Sequence, residues 1–200
     1  MGVPVPMKLF CFALPMSPSL KQGVFPDGKV LQDFSELRNL AWPRADQWVV
    51  GALQEGAEQL AETIGQPVTV APELCSRHYG AWSGRPLKTI SAEDLEKWLH
   101  DPKFVPPAGE SRSMVYHRVV QWLRKIQTKD ETVAVMADAD IVRLLILACL
   151  GLDVTWENLM DVAPTSWSIL SYRTHWRLQT LSLPPEKSGF ETTCGSKNDH

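Results

Sequence analysis

Thr132–Leu150 reads TVAVMADADIVRLLILACL. Its first six residues, Thr132–Ala137, are almost wholly apolar and half of them β-branched, which predicts a buried central strand. The chain then runs directly into Ile141–Leu150, apolar nearly all round, which predicts a helix sandwiched between other layers. A strand passing into a buried helix is the repeating unit of an α/β domain. Upstream, Lys8–Leu14 (KLFCFAL), stopped by Pro15, predicts a second buried strand. Trp48–Leu53 (WVVGAL) predicts another, followed by a helix over Glu55–Ile64 closed by Gly65 and a short strand at Pro67–Val70. Downstream, Ser166–Arg173 and Trp176–Leu183 alternate polar with apolar residues, the pattern of a terminal hairpin or edge pair. The fold class that follows is a three-layer α/β/α sandwich on a mostly parallel sheet.

The middle of the chain is helical. Ser91 is placed to cap a helix that runs to His100, with Asp94 three residues on. Pro102, Pro106 and Pro107 interrupt it. After Ser111, Val115, Val119, Trp122 and Ile126 recur at helical spacing and give one buried stripe. Pro18–Asp33, rich in Pro, Gly and Ser, reads as a long loop. Residues 1–183 are expected to form a single domain, and the polar, aperiodic stretch 184–200 a disordered tail.

The totals narrow the function classes. The chain has 200 residues, enough for one domain with a sizeable core. Its 44% hydrophobic and 22% charged residues are the balance of a soluble globular protein. A net charge of −3 without any block of like charges argues against nucleic acid or an anionic membrane as the main partner. Most of the eight tryptophans lie in apolar runs and read as core. Cys11, Cys75, Cys149 and Cys194 show no CxxC spacing, which suits reduced thiols in a cytoplasmic protein. Met1–Met16 makes a poor secretory signal, and no stretch approaches a membrane span.

Four stretches together resemble the histidine phosphatase (phosphoglycerate mutase-like) superfamily. Leu74–Gly84 (LCSRHYGAWSG) is similar to its L-x-E-x-x-F-G-x-W-E-G segment, and Pro106–Ser111 (PPAGES) to its P-P-G-G-E-S loop. Val133–Leu145 (VAVMADADIVRLL) resembles V-x-x-V-T-H-x-x-V-I-R-x-x-L. Asp161–Leu170 (DVAPTSWSIL) resembles the segment entering the last strand. Order and spacing agree over roughly residues 8 to 183.

The resemblance implies a phosphoryl-transfer site. In the family, a histidine in an R-H-G triplet after the first strand attacks phosphorus. That arginine, a second one at the next helix start and a second histidine after the central strand hold the phosphoryl oxygens, while a carboxylic acid protonates the leaving group. This chain departs at each post. Ala13, Leu14 and Pro15 occupy the triplet, Glu55 the helix-start arginine, Ser76 the acidic position and Asp138 the second histidine. Ser17 is the nearest match to the triplet's trailing threonine. None of the five histidines follows the first or the central strand, and only His78 borders the expected pocket.

These replacements imply a degenerate member without phosphatase activity. Each carboxylate at roughly 5 Å would repel a phosphate charge by about 3 kcal/mol at an effective dielectric near 20. An acidified cleft is expected, binding a non-phosphorylated ligand, neutral or amine-bearing. Asp138 and Glu55, with Ser76, would supply acid–base chemistry if the ligand is transformed. Ala13, Leu14, Ser17, His78 and Glu110 are the further candidates for ligand contact. Bland roles stand beside these: Asp138 or Asp140 as a helix cap, Glu55 against a helix dipole, Glu110 as a loop organiser, Arg143 in an ion pair on its helix. The alternatives are a non-catalytic pseudoenzyme acting through a protein partner, and a hydrolase working by another route. No HExxH or paired histidine spacing occurs, so neither a metal nor another cofactor is expected.

Overall fold

The computed structural model describes residues 6–28, 33–52, 54–127 and 131–188. Six strands form one sheet: β1 (Met7–Ala13), β2 (Gln47–Val50), β3 (Thr69–Val70), β4 (Thr132–Ala137), β5 (Ser166–Tyr172) and β6 (Trp176–Leu183). Their spatial order is β3-β2-β4-β1-β5-β6. The first four of these are parallel to one another, and β5 and β6 are added antiparallel at one side. Thr132–Ala137 is therefore an interior strand, as its unbroken apolar composition requires. A strand covered on both faces cannot alternate with polar residues.

The two faces divide by the strand period of two. Leu9, Cys11, Ala13, Val133, Val135 and Ala137 join one core cluster with α4 (Arg112–Ile126) and α5 (Ala139–Leu150). Phe12, Ala134 and Met136 face the other way, against α2 (Gln54–Ile64). Helices thus cover both faces, which makes the three layers. The stripe Val115, Val119, Trp122 and Ile126 of α4 is buried, and α5 buries residues on nearly every side. Gly151, with φ +67°, ends α5 in the left-handed conformation that glycine adopts without a Cβ clash.

Local signals account for the element ends. Ser91 and Ser111 each accept a hydrogen bond from the backbone N–H three residues on, capping α3 (Ala92–His100) and α4. The expected loop Pro18–Asp33 opens with a short helix, α1 (Pro18–Lys21), which the Ser17–Pro18 pair starts by the same rule. β2 stops at Val50 rather than Leu53. A Cβ on Gly51 would lie 1.9 Å from the Leu74 carbonyl oxygen, so the chain is pressed there against the segment after β3. Cys11 and Cys149 lie in the core, where burial pushes both thiols up, and all three described cysteines are free.

Residues 184–188 are the described part of the expected tail 184–200. Ala41 N–H donates to the Glu186 carbonyl at 2.8 Å and Ser188 N–H to the Asn39 carbonyl at 2.8 Å, which ties the chain past β6 to the segment before β2. Pro184–Ser188 is therefore pinned. The remainder of the expected tail, 189–200, with Cys194, lies outside the described residues. Among the described residues no helix is long and apolar enough to cross a membrane.

Candidate functional site

Open α/β sheets offer ligands a crevice at the carboxyl ends of their strands. Here β1 and β4 end side by side, the Leu14 N–H donating to the Ala137 carbonyl at 2.8 Å. That bond sets Leu14 and Asp138 next to each other at the start of two loops. A cavity of about 460 Å³ opens there, lined among others by Leu14, Ser17, Ser76 and Asp138.

Asp138 occupies the N-cap position of α5, yet its side chain makes no capping bond. It accepts instead from Ser76 Oγ at 2.5 Å, across 62 positions of sequence. The helix-cap role is thus not what this carboxylate does. Its pKa is pushed up to about 6, by burial first and by the Asp140 charge second, with the Ser76 hydrogen bond opposing. Asp140 bonds locally, Oδ1 accepting from the Ile141 N–H at 2.9 Å.

The remaining candidates fall elsewhere. Ala13 is fully buried in the core beneath the cavity and does not line it. Glu55 is exposed in the first turn of α2 and is not part of the lining, so it does not join Asp138. An acidic side chain there faces solvent and suits the helix dipole. His78 and Glu110 belong to a seam between the two motif loops. The Glu110 N–H donates to the His78 carbonyl at 2.8 Å, and the His78 N–H returns to Glu110 Oε2 at 3.0 Å. Arg118 holds both oxygens of Glu110, at 3.1 and 3.2 Å, and also donates to the carbonyls of Glu73 and Ser76. Burial, the largest single influence, would raise the Glu110 carboxyl, but the Arg118 bonds, the His78 N–H bond and the neighbouring positive charge together hold the group below its usual range. The seam fixes the backbone that carries Ser76.

The lining adds cations to the carboxylates expected of the cleft. Arg77, Arg112 and Arg143 line the same cavity, so its field is mixed. Arg77 is only 9% exposed, with its guanidinium 5.0 Å from the Tyr79 ring centre and 5.1 Å from that of Trp98. Arg112 reaches Glu157 at 3.5 Å, Asn158 at 3.4 Å and the Leu99 carbonyl at 2.9 Å. Arg143 does form an ion pair, but with Glu157 at 3.9 Å rather than with its own helix. Glu157, in the 3-10 stretch Val154–Leu159, is pushed up by burial in spite of its arginines. One signal for Arg112 was present in the sequence. It is the first residue after a capping serine, where a cation opposes the helix dipole and needs another reason to be there.

Among the described residues no three His, Cys, Asp or Glu side chains gather where one metal ion could be held. A glucosyl-3-phosphoglycerate phosphatase of Mycolicibacterium vanbaalenii is 28% identical over 131 residues, 59% of this chain and 58% of that protein. A bifunctional protein of Mycobacterium tuberculosis is 28% identical over 126 residues, 62% of this chain and 31% of the relative. The chain thus matches less than two thirds of the length of these relatives. Among solved structures, the alpha-ribazole phosphatase of Shigella flexneri superposes with a TM-score of 0.75 at 19% identity, covering 88% of this chain and 96% of that one. A mycobacterial glucosyl-3-phosphoglycerate phosphatase bound to VO3 gives 0.68 at 22% identity, covering 88% and 99%. These likenesses share the fold, and the family model for the histidine phosphatase superfamily (branch 1) matches residues 52–183. That match takes in β4, α5 and both seam loops, and by it the chain belongs to the histidine phosphatase superfamily.

Proposed function

We propose that this chain does not hydrolyse phosphate esters, and that its cleft binds a non-phosphorylated small molecule with a neutral or amine group facing Asp138. The observation that carries the reading is Leu14. It lines the cavity wall directly after β1, at the post where the family's nucleophile belongs, and a leucine side chain cannot attack phosphorus. Asp138 beside it, with a pKa of about 6, holds a proton for part of the time near neutrality. The carboxyl can therefore take or return a proton at a bound ligand, with Ser76 Oγ orienting it. Relatives are named as phosphatases, and the proposal parts from them on the residues at these two posts.

The purified chain is expected to give no turnover of p-nitrophenyl phosphate or of sugar phosphates above buffer, and no phosphorylated protein. Turnover that survives repurification and disappears in His78→Ala would overturn the reading. A second reading, a non-catalytic protein acting on a protein partner, is favoured by Trp156 and Leu159. Both are large apolar side chains exposed on one 3-10 stretch. Loss of a pulled-down partner in Leu159→Asp, with the cleft indifferent to every small molecule, would decide for it.

A further inference from the structure

The cavity lining carries two chemically different groups. In one, Asp138 is bonded to Ser76. In the other, Arg112 and Arg143 share the single carboxylate of Glu157 at 3.5 and 3.9 Å. Charge-assisted bonds of this kind normally close to about 2.7–2.9 Å, so the Glu157 carboxylate satisfies neither guanidinium fully, although Arg112 also donates to the Leu99 carbonyl at 2.9 Å and to Asn158 at 3.4 Å. Arg77, nine-tenths buried, rests against aromatic rings. The Nε atoms of Arg77, Arg112 and Arg143 are buried with no hydrogen-bond partner among the described residues. Buried cations left this loosely paired favour an incoming carboxylate, which a guanidinium fork can grip with two parallel bonds.

The balance of charge narrows the ligand further. Three arginines face Asp138, Asp140 and Glu157, with Asp27 adding one more carboxylate to the lining. A lining this close to neutral accepts a ligand whose own charges cancel. A phosphate dianion would add two uncompensated negative charges to the same space. Much of the rest of the lining is apolar: Leu14, Trp98 and Val115, with the more exposed Met16, Leu20 and Leu99. Those last three are large apolar side chains that stand exposed, Leu99 to 51%.

We propose that the ligand of this cleft is a zwitterion with an apolar body, its carboxylate held by Arg77, Arg112 and Arg143 and its amine facing Asp138. This rests on reading the cleft as a small-molecule site, and the test separates the two claims. Isothermal titration of the full chain with phenylalanine, phenylacetate, phenethylamine and phenyl phosphate keeps the apolar body fixed and varies the head group. Phenylalanine is expected to bind at least about tenfold more tightly than either half-ligand, a difference of about 1.4 kcal/mol. Arg112→Gln should reduce phenylalanine to the level of phenethylamine, and Asp138→Asn to that of phenylacetate. Circular dichroism checks that each variant is folded, and Arg143→Gln stands in if Arg112→Gln is not. Binding of phenethylamine alone, unchanged in the arginine variants, overturns the zwitterion and leaves the cleft reading intact. Tightest binding by phenyl phosphate, or heat from none of the four, overturns both.

Discussion

Gly80→Ala is expected to lose at least about 4 kcal/mol of stability, a large part of the 5–15 kcal/mol that holds a typical domain together. Gly80 has φ +57°, and a Cβ there would lie 2.1 Å from the Pro107 carbonyl oxygen and 2.5 Å from backbone atoms of Ala108 and Gly109. Those neighbours are main chain and cannot rotate aside. They are also fixed, because the Ala81 N–H donates to that same Pro107 oxygen at 2.8 Å. The methyl group must therefore part the two motif loops, undoing the bonds of His78 and Glu110 and freeing Arg118. Gly65 supplies the control. Its φ is +67° but nothing lies within 4 Å of the added Cβ, so Gly65→Ala carries only left-handed strain of about 1 kcal/mol. Urea unfolding of the two variants measures the difference. Equal losses would show that the seam yields. The same geometry gives the loops YGAWSG and PPAGES a reason to be kept that needs no phosphate: they hold each other.

Asp138→Asn should stabilise the protein at pH 7.5 and leave it unchanged at pH 3.5. The Asp138 carboxyl rises from 3.8 to about 6 on folding. An acid whose pKa rises binds its proton more tightly in the folded state, so its contribution is fully present below 3.8 and is lost as pH climbs through 6. Above that, the folded protein carries a carboxylate it does not solvate well, a penalty of up to about 3 kcal/mol at 1.36 kcal/mol per pKa unit. Asparagine removes the charge and keeps an oxygen for the Ser76 hydroxyl. Denaturation midpoints measured from pH 3.5 to 8 should coincide for the two proteins below 3.8, diverge progressively between 3.8 and about 6, and stay apart by a constant amount above that. Parallel behaviour throughout would mean that Asp138 ionises freely.

The fold was legible because its signals are local. TVAVMA, the apolar α5 and the capping serines each act within a few residues, and period and propensity record them directly. Of the candidate site residues, Leu14 and Asp138 reach the cavity because they follow strand ends, and Ser17 and Ser76 reach it from loops. Glu55 was misplaced because a motif position gives no direction to a side chain on the first turn of a helix. Arg112 is not marked by any motif, and the Arg143 ion pair was expected on its own helix, because their common partner, Glu157, comes from another segment, 45 positions beyond Arg112. No periodicity carries such a meeting.

The aromatic residues on the α2 side of the sheet have an optical consequence. Trp42 stands nearly edge-on to Trp48 and Trp167, at 5.9 and 5.8 Å between ring centres, with Phe12 at 5.3 Å. Indoles this close couple their excited states, so the cluster should produce a paired positive and negative band in the near-ultraviolet dichroism spectrum. Trp98 lies instead in the cavity wall, edge-on to Phe25 at 5.5 Å. Its emission should change when the cavity fills, while the paired bands hold until the sheet itself comes apart. One spectrum then follows occupancy and the other follows folding, with no label added to the chain.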